Sequence, residues 1–539
     1  MLHQEKTRLL LPLPALLIAG AVYFTVWAKL YLDLYLTTDF GWLLICLERF
    51  LSGGTYTEDF YETNPPLSFL IYYPAYILHK VAGVFPTHAI FSLFCSAAAL
   101  IAFIIWKYLD SYGFTGSMKI GLFGAYLFSG TWIISTGFGH KDHLVFLLLL
   151  PYILMQIGII SRKPTSRTLM TTSSLLGASA ICIKPHYILI PAFFYVYRFY
   201  SERSLAKLIL TSDLWIFVSV GAAYLLSIYV FFPDYINTVF PEVLELYTID
   251  VPMPVIDLLK FLSLSACAFI VMLFVYETEE TKYLKASVYS LIGLSLLCAI
   301  AYFVQNKGFF YQSAPFLAFA AMSFILSLFG LIYQSCRLAD IAILVPCLLL
   351  LIFTKTYMTG HPPGYVSSQD FREMPYHQKL KAYASNGVYM DLEMKSSALS
   401  IPFYLNIQNA SRFGQIWPIL GLKFKFEASL KEQEKDALRK RLNHYIDMIA
   451  ADITKNSPAV ISIPRYIEAG NPLPTKAYFN FFMKNQNFSK SMEKYQFSET
   501  YTFNKNLYIR GAKKNMEEEN QTVDLYVLID DDKAEKKDE

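Results

Sequence analysis

The sequence predicts a mainly α-helical, polytopic transmembrane bundle, with about eleven spans and one re-entrant or interfacial helix, followed by a small α/β C-terminal domain. Three observations predict it. The 539 residues are 55% hydrophobic and only 17% charged, where soluble domains carry roughly a quarter charged. Between residues 9 and 357 the apolar residues fall in blocks of roughly 17–22, the length a helix needs to cross about 30 Å of hydrocarbon. Beyond 357 the chain turns polar.

The first span, 9–32, follows Lys6 and Arg8. It opens like a signal peptide, but the run is long and no small-x-small cleavage site follows, so it reads as a retained helix. The further spans are 89–107, 120–136, 144–160, 171–183, 188–199, 213–232, 257–276, 286–304, 313–333 and 340–357. Leu67 to Val84 is also apolar. It is short, begins after Pro65-Pro66, and carries Tyr72, Tyr73 and Tyr76, which suit an interface. It reads as the re-entrant or surface-lying helix.

Lys and Arg in short loops mark the cytoplasmic side. They occur at Lys6 and Arg8, at Arg162, Lys163 and Arg167, and at Arg198, Arg203 and Lys207. The 233–256 loop has Asp234, Glu242, Glu245 and Asp250 without Lys or Arg, so it reads as external. The 277–285 loop runs the other way, with Glu277, Glu279 and Glu280 against Lys282 and Lys285, but acidic residues weigh little in this rule. An even number of crossings before 161–170 requires one early apolar segment not to cross, which is 67–84. The N-terminus is then inside and the tail outside.

In the tail, His361-Pro-Pro-Gly364 is a linker. Leu430 to Lys455 reads as a long amphipathic helix with Leu438, Leu442, Ile446 and Ile449 on one face. Ala459 to Ile463 reads as a buried strand. Ser498 to Thr502 and Asn506 to Arg510 alternate as strands and suggest a hairpin across Phe503 to Lys505. Asp530 to Glu539 is charged and reads as disordered. The domains are thus a membrane module over 1–357, an α/β domain over 358–528 and a tail over 529–539, with no internal repeat.

A net charge of +3 and the lack of RNP, helix-turn-helix or zinc-finger patterns exclude nucleic acid as a partner. The seven cysteines lie in or beside apolar segments and form no CxxC or Cys/His cluster. They indicate packing, not a disulfide framework or a structural zinc.

Ionisable groups near membrane depth are costly and so tend to mark function. Four groups gather at the external face. The first loop holds Asp39, Glu58, Asp59 and Asn64; the second is His140-Lys141-Asp142-His143; the third is Lys184-Pro-His186; the fourth contains Lys307 and Tyr311. Each has a plainer reading. Asp39, after Thr37 and Thr38, suits a helix cap. Glu58 and Asp59 suit a solvated turn. Lys184 suits snorkelling to a headgroup, and Lys307 a membrane border. Together they suit transfer of a sugar from a lipid phosphate. A carboxylate takes the proton of an acceptor hydroxyl. Cations offset charge growing on the departing phosphate. A divalent metal ion is the one cofactor left open, at the His140, Asp142 and His143 trio.

The first loop resembles that of the GT-C glycosyltransferase superfamily, in particular its protein O-mannosyltransferase and aminoarabinose-transferase-like branch. Those enzymes carry an acidic residue just after the first helix, then a Gly-x-x-Tyr, an Asp and an Asn-Pro-Pro-Leu. Here these are Asp39, Gly53 to Tyr56, Asp59 and Asn64-Pro-Pro-Leu67. Gly139 to Leu144 resembles a second polar stretch, Lys184-Pro185 a turn between short helices, and Lys307-Gly308 with Tyr311 and Pro315 a later external loop. Where many relatives have an Arg-Glu or Arg-Asp pair in the second stretch, this chain has His140 to His143.

The resemblance implies a polyprenyl phosphate-sugar donor, a membrane lipid environment, an extracytoplasmic site in a bacterial inner membrane and inversion at the anomeric carbon. By it Asp39 is the catalytic base, Glu58 and Asp59 assist by orienting the acceptor or holding a metal, and Lys184, His186 and Lys307 face the donor phosphate. A flippase for a lipid-linked glycan competes, but such folds often show two matching halves. A polysaccharide polymerase or ligase also competes, but its external loops are typically arginine-rich, and arginine is scarce in the external loops here.

Overall fold

The computed structural model describes residues 36–131, 139–247, 255–305, 310–334, 368–392, 398–465, 477–504 and 520–529. The expected spans 9–32 and 340–357, the linker and the charged tail lie outside them. The chain divides into two compact units: Met1–Lys29 with Ile90–Ser227 and Asp250–Thr359, and Leu30–Ala89 with Ile228–Ile249 and Gly360–Glu539. The last break falls between Thr359 and Gly360, beside the boundary drawn at 357. The first loop and the 228–249 segment belong with the C-terminal residues. Hydropathy records which residues prefer lipid, not where polar loops fold back.

The first unit is helical. Among the described residues, five helices are long and apolar enough to cross a membrane, and two of them begin or end in the other unit: Pro86–Ser111, Lys141–Ile160, Ser212–Phe231, Thr281–Val304 and Gln312–Leu331. These make the chain an integral membrane protein. Shorter helices at Gly116–Thr131, Arg167–Ile183, Leu189–Glu202 and Val255–Leu273 fall at the other expected positions. Lys141–Ile160 is the most buried of the five, and Ser212–Phe231 is the least, with hardly any residue fully buried, as suits a lipid-facing helix.

Buried polar ties offset the lack of any hydrophobic drive between helices in lipid. Asp213 accepts from Arg198 Nη1 at 3.0 Å and Gln156 Nε2 at 2.8 Å, tying three helices together. Arg198 therefore sits inside the Leu189–Glu202 helix as a buried ion-pair partner, where its charge had marked a loop. The 277–285 segment is also mostly helix. Thr278 and Thr281 cap its start reciprocally, each hydroxyl accepting from the other's backbone N–H at 3.2 and 2.7 Å.

In the second unit, 67–84 forms two short helices, Leu67–Leu70 and Tyr73–Ala82, the latter ended by Gly83 at φ +67°. Neither approaches the roughly 20 residues of a span. Five strands make one mixed sheet: β1 Val388–Asp391, β2 Gln408–Asn409, β3 Val460–Pro464, β4 Tyr495–Asn504 and β5 Asn520–Leu528. Their order is β2-β1-β3-β5-β4. β1 runs parallel to β2 and β3, and β5 antiparallel to β3 and β4.

The Glu432–Asn456 helix buries Leu438, Leu442, Ile446 and Ile449, and β3 is buried throughout, both as expected. The hairpin is corrected. β4 runs on through Phe503 and Asn504, where the turn was expected, and pairs with 520–528, Asn504 opposite Asn520; Asn506 to Arg510 lie outside the described residues. Alternation finds strands but does not choose their partners.

Candidate active site

In the second unit, the Thr38–Leu51 helix is capped by Thr37, whose backbone is extended and whose side chain makes no cap bond. Asp39 is therefore in the first helical turn and is not the cap; it is half-buried, where the positive end of the helix favours a carboxylate. The C-terminal residues frame this helix start. Leu36 N–H donates to the Tyr404 hydroxyl at 2.6 Å. A Cβ on Gly41 would come within 2.5 Å of the Leu399 carbonyl oxygen, so only glycine allows the approach.

One turn after Asp39, Trp42 Nε1 donates to Glu62 Oε2 at 2.6 Å. The other Glu62 oxygen accepts from the Asn64 backbone N–H at 2.8 Å and from the Asn64 side-chain amide. Glu62 is only 3% exposed. Asn64 thus orients a carboxylate. The Tyr247 phenol has its pKa raised by burial first, then by the charges of Asp39 and Glu62.

Sequence reasoning passed over Glu62. A signal was present: an acid two residues before Asn-Pro-Pro is spaced to accept from the Asn backbone and side chain in a local turn. The adjacent Glu58-Asp59 pair was the more conspicuous.

Those two acids are taken up in holding the turn. Asp59 accepts from Thr55 N–H at 3.0 Å and pairs with Lys455 at 3.1 Å. Burial pushes its pKa up, but the Thr55 hydrogen bond and Lys455 outweigh that and leave it lowered. Glu58 is mostly exposed and lies 3.4 Å from Arg412.

In the first unit, Gly139 at φ +87° turns the chain into the Lys141–Ile160 helix, so that His140 precedes a first turn of Lys141, Asp142 and His143. Asp142 is 1% exposed and accepts from Lys184 Nζ with both oxygens, at 2.9 and 2.7 Å, and from the Tyr187 hydroxyl at 3.0 Å. His143 stacks on Phe94, centroids 5.4 Å apart. The second and third polar segments therefore meet directly.

His186 has its pKa lowered to about 4 by burial and then Lys184, with Asp142 opposing. At neutral pH that favours the neutral imidazole. Tyr311 lies in the first turn of the Phe310–Gln334 helix, whose Phe319 packs on Phe146 at 4.9 Å. Lys307 lies outside the described residues. Among the described residues, no group of three or more His, Cys, Asp or Glu side chains is placed to hold a metal ion.

No family model matches the chain, and no curated protein matches it. Among solved structures it is similar to ArnT from Cupriavidus metallidurans in the apo state, with a TM-score of 0.40 and 13% identity over 83% of this chain and 92% of that one. It is also similar to ArnT from Cupriavidus metallidurans bound to undecaprenyl phosphate, with a TM-score of 0.48 and 12% identity over 95% of this chain and 98% of that one.

Proposed function

We propose that this chain is a membrane glycosyltransferase of the GT-C superfamily, moving a sugar from a polyprenyl phosphate donor to an extracytoplasmic acceptor with inversion. The observation that carries the reading is a pair of carboxylates joined through one helix, Asp39 in its first turn and Glu62 bonded to its Trp42. One, Glu62, is buried and fully engaged by Trp42 and Asn64; the other, Asp39, is half-exposed at a helix N-terminus. Two carboxylates in contrasting environments suit a division between orientation and proton transfer.

In this reading the acceptor hydroxyl oxygen attacks the anomeric carbon while Asp39 takes its proton. The new carbon–oxygen bond forms as the bond to the phosphate oxygen breaks, and the electron pair leaves on the lipid phosphate. Glu62 ties the first loop to the helix that carries Asp39. Within the first unit, Lys184, held by Asp142, and Lys141 at a helix N-terminus are the cations suited to a phosphate group. Glu58 and Asp59 hold the first loop in place. The N-terminus is cytoplasmic, and the α/β domain lies outside a bacterial plasma membrane.

The test is an assay with a labelled sugar on undecaprenyl phosphate, using protein in nanodiscs and in sealed vesicles. Release of the lipid phosphate with transfer of label, lost in Asp39→Asn, supports the enzyme. Movement of the intact lipid across the vesicle without bond cleavage overturns it in favour of a flippase.

A further inference from the structure

We infer that Arg412, in the C-terminal α/β domain, is a positioning residue that fixes the loop carrying Glu62; its place in the reaction rests on the function proposed above. Arg412 is 5% exposed and its partner Asp452 2%. The backbone N–H, Nε and Nη2 of Arg412 all donate to the Asp452 carboxylate, at 2.8, 2.9 and 2.8 Å. Its remaining fork reaches across to the Thr57 carbonyl at 2.9 Å. Its own carbonyl accepts from Tyr61 N–H at 2.7 Å. One residue therefore holds both ends of the 57–61 turn, immediately before Glu62.

The clamp is reciprocal. Arg49, at the end of the Thr38–Leu51 helix, donates to the carbonyls of Asn409 at 2.5 Å and Ser411 at 2.7 Å, and to that of Asp59 at 2.7 Å. The receiving turn is braced by its own side chains, with Ser411 N–H donating to Asn409 Oδ1 and Phe413 N–H to Ser411 Oγ, both at 3.0 Å. The Tyr61 ring seats on Phe413 and Trp417, and its hydroxyl donates to Glu242. The segment before Glu62 is thus moulded by the α/β domain, while Trp42 and Asn64 grip the carboxylate itself. A guanidinium offers five donors in a rigid plane, and an ammonium of similar reach does not serve two acceptors set apart in this way.

The experiment uses the full chain in nanodiscs. Hydrogen exchange over residues 55–64 reads the clamp, and transfer kinetics read its purpose. In the wild type the Tyr61 amide should exchange slowly, and fast exchange there overturns the clamp without any variant. Arg412→Lys should speed exchange over 57–62 and lower kcat by about tenfold or more with donor KM within about twofold, the split expected when only transition-state geometry is lost. Arg439→Gln, which removes only an exposed pair with Asp436 on the Glu432–Asn456 helix, should change neither. Unchanged exchange in a folded Arg412→Lys protein, equal effects from Arg439→Gln, or faster exchange with unchanged kcat each overturn the inference. A wild type inactive with every donor overturns the function, while the exchange comparison still decides the clamp.

Discussion

Trp42 and Glu62 are joined by a 2.6 Å hydrogen bond from the indole to a buried carboxylate, which fixes the first loop against the helix that begins beside Asp39. A Gln at 62 would keep the shape but turn an amide donor toward Trp42 or Asn64. Glu62→Gln should therefore lower kcat by at least about tenfold, as expected when an oriented charge is lost from a reacting site. It should also cost about 1–3 kcal/mol, because a buried donor is left without its acceptor. Single-turnover transfer and thermal unfolding in nanodiscs measure the two. A rate within twofold of wild type removes Glu62 from the reaction.

Asp39 separates chemistry from folding. It is half-buried and Thr37 occupies the cap position, so an isosteric amide disturbs little packing. Asp39→Asn should slow transfer by about a hundredfold or more if it removes the base, with the melting temperature almost unchanged. A rate within threefold of wild type refutes the role.

Lys184 does not separate in that way. The resemblance has Lys184 facing the donor phosphate, a role whose loss would spare the fold. The bidentate pairing with buried Asp142 changes the expectation. Removing the cation strands a carboxylate away from water, a loss of about 3–5 kcal/mol. Lys184→Met should lower the unfolding temperature markedly, and Lys184→Met with Asp142→Asn should recover much of it. A single variant as stable as the double would show that the pair is not buried as described.

Local patterns were legible because burial repeats with the period of the element that makes it. The face of Leu438, Leu442, Ile446 and Ile449 and the run Val460 to Ile463 needed no knowledge of distant residues. Pairings across the chain were not. Arg198 has the look of a topogenic charge and is instead neutralised by Asp213. Arg412 lies 355 residues from Thr57, and nothing in either neighbourhood names the other. The Glu58-Asp59 pair drew attention because adjacent acids are conspicuous, yet Lys455 and Arg412 engage them. Glu62 drew none, because a single acid gains meaning only when its donors converge. Asp39, Asn64, Asp142 and Lys184 stand out in the sequence, the last two as separate motifs whose direct contact spans 42 residues.

The α/β domain carries its own pH dependence through His377. The ring is fully buried, with Nδ1–H donating to the Phe371 carbonyl. Burial lowers its pKa from 6.5 to about 4, outweighing the support from that carbonyl. Between those values the unfolded chain binds a proton that the folded domain refuses. Stability from this site is therefore full above the unfolded pKa and declines as the pH falls toward about 4, by about 3 kcal/mol at most. Glu245 acts in a separate window. Arg441 and then Lys425 hold its pKa at about 2, so its contribution is complete above 4.5 and lost only as the pH falls toward 2. His377→Gln keeps a donor for Phe371 and should flatten the stability profile between pH 6.5 and 4 without touching the lower limb. Urea unfolding across that range checks it, and parallel profiles for the two proteins would place the titration elsewhere.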